Sequence, residues 1–174
     1  MNGDNILITG GNGFIGSFVT QKFLKDENNN IFILMRKNSS IDKIKEFIDK
    51  KNLQIIFYNK IKSFFLNTRI DFIAHIATNY IKYDELQDHK LLIEDNITIP
   101  LKILELSIRN NLKGYINTGT FFEVDDSIDK QITEESKIRP FNFYARTKIG
   151  FQKILETYAN KINLTTLRLF SPYG

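Results

Sequence analysis

The sequence predicts a doubly wound α/β fold, which is a parallel sheet with helices on both of its faces. Three observations predict it: six short apolar runs have the pattern of strands, helical patterns alternate with them, and the first run leads into a glycine-rich turn. Near-continuous apolar strands indicate a sheet that is buried on both faces, and alternation with helices is typical of parallel βαβ units. The chain has 174 residues, which is the length of one domain.

The predicted strands are apolar runs bounded by turn-forming residues. They span residues 6–9, 31–35, 53–58, 71–76, 114–118 and 164–170. The first helix is predicted over residues 14–25, because apolar side chains recur there on one face. These side chains are Phe14, Ile15, Phe18, Val19 and Phe23.

Two more helices are predicted before the fourth strand. Ser40 is a suitable cap for an amphipathic helix that runs to about residue 51. A short helix is expected near residues 63–68. Both would cover the sheet between consecutive parallel strands.

The second half of the chain contains the longest helical pattern, over residues 83–110. Pro100 should kink this helix or split it at Ile99, because proline lacks an N–H group and its ring clashes with the preceding turn. Residues 120–139 form a polar connection, and its length predicts a functional role, because long irregular connections are uncommon in a compact domain. The last helix is predicted over residues 141–160.

Composition excludes several classes of protein. With 42% hydrophobic and 25% charged residues, the chain resembles a soluble globular protein, and no apolar run approaches the ~20 residues of a membrane span. The absence of cysteine excludes disulfides and fits a cytoplasmic location, and two histidines alone offer no metal site. The net charge of +4 is spread among acidic residues, which favours a solvated surface over a nucleic-acid-binding patch.

The glycine-rich turn after the first strand predicts a dinucleotide site. Glycine permits positive φ, close approach to a pyrophosphate and tight packing of the helix on the strand, and the phosphate then meets free helix N–H groups. The glycines allow two registers, one starting at Gly11 and one at Gly10, and both continue through Gly13 and Gly16. The turn alone does not choose between them.

A tyrosine and a lysine in the last helix are the candidate catalytic pair. Tyr144 and Lys148 are four residues apart, which places them on one helical face. A neighbouring ammonium would lower the pKa of the tyrosine towards a useful value. Tyr58 and Lys62 have the same spacing, but they span a strand end and a loop, so the helical context favours the first pair.

Six motifs in order along the chain resemble the extended short-chain dehydrogenase/reductases, which include nucleotide-sugar epimerases, dehydratases and 4-ketoreductases. The motifs are TGGNGFIG at residues 9–16, HIAT at 75–78, NITIP at 96–100, INTGT at 116–120, YARTK at 144–148 and LRLFSPYG at 167–174. The resemblance covers essentially the whole chain. It implies a Rossmann-type sheet and selects the glycine register that starts at Gly10.

The resemblance also implies roles for individual residues. Tyr144 would be the general acid/base, Lys148 would hold the nicotinamide ribose and lower the pKa of Tyr144, and Thr118 would bind the reacting sugar oxygen, with Thr120 as the alternative hydroxyl. His75 would be a hydrogen-bonded core residue. The implied cofactor contacts come from Gly10, Gly13, Phe14, Ile15, Gly16, Ala77, Asn96 and Lys148. For Asn96, a structural role in bonding backbone is the alternative.

Position 36 bears on the choice of cofactor. An acidic residue about 20 positions after the glycine turn binds the ribose of NAD, whereas an arginine accommodates the 2′-phosphate of NADP. Arg36 stands at this position, with Lys37, Ser39 and Ser40 beside it. We therefore expect NADP, with NAD as the alternative.

Departures from the family pattern narrow the expected reaction. Gly119 and Thr120 stand where the family's 4,6-dehydratases have an Asp-Glu pair, so dehydration is disfavoured, and hydride transfer at a hexose C4 by an epimerase or a ketoreductase remains. Phe122 and Glu123 stand where many members have a Tyr-Gly pair. Such members continue past the position of Gly174 with a domain that binds the nucleotide-sugar. We therefore expect residues 1–174 to be the NAD(P)-binding domain of a longer enzyme, with a homodimer as the expected assembly and the C-terminal substrate domain absent here. The alternative is a non-catalytic or partner-dependent dinucleotide-binding module.

Overall fold

A computed structural model describes residues 3–124 and 131–173 of the chain. Within them, six parallel strands form one sheet in the order β3-β2-β1-β4-β5-β6. The strands are β1 (Asn5–Thr9), β2 (Asn30–Met35), β3 (Leu53–Phe57), β4 (Phe72–His75), β5 (Gly114–Thr120) and β6 (Asn163–Leu169). The predicted doubly wound fold and its six strands are confirmed.

Apolar side chains cover both faces of this sheet. In β1, Leu7 packs into one core cluster, whereas Ile6 and Ile8 pack into the other. Successive strand residues point to opposite faces, so a run of buried residues requires helices on both sides. The strand order turns back between β1 and β4, and this is where the ligand crevice of an open α/β sheet lies.

The helices that cover the sheet mostly follow the predicted pattern. They are α1 (Phe14–Phe23), α2 (Ile61–Asn67), α3 (His89–Ile93), α4 (Ile99–Ile108) and α5 (Phe143–Glu156). The face that α1 buries only partly matches the predicted apolar face, because Val19 and Phe23 pack against the core but the most buried positions are others. Its buried residues are Gly16, Ser17 and Thr20, whereas Phe18 is 60% exposed. Close approach of α1 to the strand selects small side chains on the buried face.

The amphipathic helix expected at about residues 40–51 is wrong. Consecutive turns replace it, and backbone N–H groups bond to carbonyls three residues back: Ile44 to Ile41, Phe47 to Ile44 and Lys50 to Phe47. Ile44 and Phe47 are buried in the core. Their three-residue spacing suits these turns as well as a helix, so the sequence pattern could not separate the two.

Pro100 neither splits nor ends the long helix. A π-helical segment, Glu94–Thr98, joins α3 to α4, and the N–H of Ile99 donates to the carbonyl of Glu94, five residues back. Proline cannot donate to the carbonyl four residues back and its ring crowds that position, and a wider turn removes both problems. The expected kink position therefore contains an altered hydrogen-bond register.

The predicted polar connection is partly described. Thr120 caps a short 3-10 turn, Phe121–Glu123, and Val124 pairs with Ile138 in an isolated antiparallel bridge. The centre of the connection, residues 125–130, lies outside the described residues, as does Gly174 at the end of the last motif. In the described part of the chain, no helix combines the length and apolar character needed to span a membrane, and no three potential metal ligands come together.

Candidate active site

A cavity of about 540 Å³ lies at the carboxyl ends of β1, β2 and β4. Seven of the expected cofactor residues line it, namely Gly10, Gly13, Phe14, Ile15, Gly16, Arg36 and Ala77. Asn96 and Lys148 are outside its lining. The volume falls in the usual range of a small-molecule site.

The glycine turn forms one wall of this cavity with very close backbone contacts. Gly10 has φ of 69°, which is the left-handed region that favours glycine. A Cβ atom on Gly16 would lie only 2.0 Å from the carbonyl oxygen of Gly10. The N–H groups of Phe14, Ile15 and Gly16 have no backbone acceptor among the described residues, so the start of α1 can receive a phosphate.

Opposite the glycine turn, the cavity contains an ion pair that sequence reasoning did not find. Arg36 pairs with Asp95 from the π-helical segment, and Asn79 also donates to the Asp95 carboxylate. The Arg36 side chain is 66% exposed and that of Asp95 only 6%. This corner therefore contains an exposed cation beside a buried carboxylate. No short-range pattern links residues 36 and 95.

Thr9 and His75 fix the loop that follows β4. Thr9 Oγ1 accepts from the backbone N–H groups of Ile76 and Ala77 and lies 2.7 Å from His75 Nδ1. Burial, and then the charge of Lys148, hold the pKa of His75 well below its ordinary value, so the ring is neutral. The expectation of a hydrogen-bonded core histidine is confirmed.

Asn96 connects that loop to α5. Its Oδ1 accepts from the Asn79 N–H at 2.8 Å and from the Thr78 hydroxyl at 3.2 Å, and its Nδ2 donates to the Asn79 carbonyl and to Thr147. The side chain is thus fully used within the protein. In this structure its place is structural, next to the cavity rather than in it.

Tyr144 and Lys148 are both buried on α5, near the end of the cavity where Thr78 lies. Burial raises the pKa of Tyr144, and hydrogen bonds from Thr78 and Thr120 only partly oppose it. The expected lowering of this pKa by Lys148 is therefore wrong for the protein alone, because desolvation outweighs the two threonine hydrogen bonds and the charge of Glu123 raises the pKa further. Burial also lowers the pKa of Lys148 to about 8, against the opposing charge of Glu123.

The two candidate hydroxyls occupy different surroundings. The Thr118 hydroxyl donates to the His75 carbonyl at 3.1 Å, whereas Thr120 lies at the Tyr144 hydroxyl. Thr78 completes the group around Tyr144, and sequence reasoning missed it although it ends the HIAT motif. Its position directly after a parallel strand was the available signal.

A second cavity, of about 620 Å³, lies beyond an aromatic stack next to Tyr144. The Tyr80 ring packs edge-on against Tyr144 with centroids 5.0 Å apart, and it stacks on Phe122 at 5.9 Å. Phe122 lines this cavity together with Phe121, Phe141, Lys82, Arg139 and Arg146. Aromatic walls and three cations suit an anionic ring-containing ligand.

Comparison with known proteins places this geometry in context. The model of the NAD dependent epimerase/dehydratase family matches residues 6–174. Protein CapI of Staphylococcus aureus is 27% identical over 97% of this chain and 54% of its own length. A UDP-glucose 4-epimerase of Lactobacillus helveticus is 24% identical over 97% of this chain and 52% of its own length. Pal from Bacillus thuringiensis superimposes with a TM-score of 0.88 at 27% identity, over 98% of this chain and 57% of its own. The chain spans about half the length of the curated relatives it matches.

Proposed function

The chain belongs to the NAD dependent epimerase/dehydratase family, and on this premise we propose that it binds NAD(P) and carries the catalytic residues of a nucleotide-sugar epimerase or 4-ketoreductase. One observation carries the proposal. Tyr144 and Lys148 are buried on α5, and the Tyr144 hydroxyl meets Thr78, which also lines the dinucleotide-sized cavity. A proton-transfer group thus adjoins a cofactor site.

The residues around the cavity fit a dinucleotide. The N–H groups of Phe14, Ile15 and Gly16 would hold the pyrophosphate. Gly16 packs so closely on Gly10 that no side chain fits there. Ala77 would lie against the cofactor, and Lys148 would reach the nicotinamide ribose. When bound, the cofactor supplies the hydride acceptor or donor.

Tyr144 would transfer the proton to or from the sugar hydroxyl at C4. In the protein alone the phenol is protonated, because burial raises its pKa. Its Oη–H is therefore ready to donate, and the ammonium of Lys148 would stabilise the phenolate that remains. We propose that the sugar oxygen lies between Tyr144 and a threonine hydroxyl, from Thr118 or Thr120.

The site supports epimerisation or reduction rather than loss of water. Gly119 carries no carboxylate, and a Cβ there would lie 2.8 Å from Glu123 Oε1, so an aspartate has no room. The second cavity, with Lys82, Arg139 and Arg146, suits the anionic part of a nucleotide-sugar.

For the cofactor we propose NADP, with NAD as the alternative. Arg36 is two-thirds exposed and can turn from Asp95 to a 2′-phosphate, with Ser39 beside it in the same cavity. Titration with NADP and NAD at equal ionic strength measures the preference. Tighter binding of NAD would indicate that Asp95 binds the ribose, and it would reject the proposed role of Arg36.

The catalytic proposal is tested with Tyr144→Phe in the protein as its source produces it. UDP-glucose and UDP-N-acetylglucosamine are the probes, and interconversion at C4 and reduction of the cofactor are followed. We expect turnover to fall by roughly 10²–10⁴ while cofactor binding stays unchanged. Tyr158→Phe is the matched control, because Tyr158 packs against the core away from both cavities.

Full activity of Tyr144→Phe would reject the mechanism. Cofactor binding by the wild type without hydride transfer to any nucleotide-sugar would instead support the alternative, a non-catalytic or partner-dependent dinucleotide module. The buried pair of Tyr144 and Lys148 argues against that alternative, because a buried lysine has no evident use in a passive binding site.

A further inference from the structure

Glu123 is a fully buried acidic residue next to the candidate active site. Its exposed fraction is 0%, and charged groups are almost never buried so completely without partners. It ends the short 3-10 turn after β5, in a capping box with Thr120: each side chain accepts from the backbone N–H of the other. The turn explains where Glu123 lies, but a capping box does not require burial.

The carboxylate of Glu123 joins two neighbouring strands. Its Oε1 accepts from the Thr120 N–H at 2.8 Å, and its Oε2 accepts from Arg168 Nε at 3.1 Å. Arg168 pairs with Gly119 in the β5–β6 register. A Cβ on Gly119 would lie 2.8 Å from Oε1, so the glycine provides the space that the carboxylate occupies.

The surrounding charges show what Glu123 opposes. Arg168 on β6 and Lys148 on α5 are the two cations near it, and Lys148 makes no hydrogen bond with the described residues. The other groups facing Lys148 are neutral, namely His75 on β4 and Tyr144 one turn earlier on α5. Among the described residues, Glu123 is therefore the anion that acts on Lys148.

We propose that Glu123 is a positioning residue that holds Thr120 beside Tyr144. The contacts of Glu123 do not depend on the proposed function, but their effect on catalysis does. Burial lowers the pKa of Lys148 to about 8, and Glu123 opposes that lowering. Without the carboxylate, the pKa of Lys148 would therefore be lower still.

The positioning role is tested by hydrogen exchange at the Thr120 amide. Glu123→Gln keeps an acceptor for this N–H and should keep its protection, whereas Glu123→Ala should exchange much faster. Equal Thr120 protection in the two variants would overturn the proposal. Because this measurement needs no substrate, failure of the proposed reaction would leave its result intact.

Discussion

Gly16→Ala tests the glycine turn, because the structure leaves no room for one methyl group at this position. The new Cβ would lie 2.0 Å from the Gly10 carbonyl oxygen, and both partners belong to backbone that other contacts hold in place. The turn would have to move by about 1 Å to relieve the contact, in the segment whose N–H groups would bind the pyrophosphate. Stability and cofactor binding should both decrease.

The magnitudes follow from this displacement. Overpacking of this kind costs about 2 kcal/mol, which lowers the melting temperature of a domain of this size by about 4–8 °C. Misaligned N–H groups weaken charge-assisted hydrogen bonds by a further ~2 kcal/mol, so the dissociation constant for the dinucleotide should rise about 30-fold. Urea denaturation gives the first quantity and calorimetric titration the second.

Gly150→Ala is the matched control on α5. Its Cβ would meet only Ile97 Cδ1, at 3.4 Å, which is an ordinary contact. This variant should bind the dinucleotide like the wild type and gain about 0.5–1 kcal/mol from helix propensity. Wild-type stability and affinity in Gly16→Ala would refute the packing argument.

Three further predictions concern buried polar groups. The Tyr115 hydroxyl is buried without a partner among the described residues, so Tyr115→Phe should leave the free energy of unfolding unchanged or raise it; a loss above about 1 kcal/mol in urea denaturation would reveal a missed partner. Asn96→Ala removes four hydrogen bonds and leaves buried partners unsatisfied, so it should cost about 2–4 kcal/mol, and a cost near zero would contradict its connecting role. Because burial lowers the pKa of His75, the unfolded chain takes up a proton on this ring before the folded chain does as the pH falls. The free energy of unfolding should be at its full value above about pH 6.5 and decrease below it by at most ~1.4 kcal/mol per pH unit. A flat profile between about pH 7 and 5.5 would contradict a buried neutral ring.

Local patterns in the sequence were sufficient for most of the fold. The apolar runs, the glycine turn and the helical pattern of α5 depend on neighbours within a few residues, and each was found close to its predicted position. The failure at residues 40–51 has the same origin: Ile44 and Phe47 meet the core from a series of turns, and their spacing is equally compatible with a helix.

The sequence by itself determined the positions of the strands and most helices and the four-residue spacing of Tyr144 and Lys148, because helical and strand periodicity are local properties of the chain. Its ordered motifs also identified the family. Only the tertiary structure decided that Thr120 and Thr78 meet Tyr144, that Arg36 pairs with Asp95 and that Glu123 is buried against Arg168. It also decided the direction of the Tyr144 pKa shift. These features depend on burial and on distances between residues far apart in sequence, and no local pattern contains either.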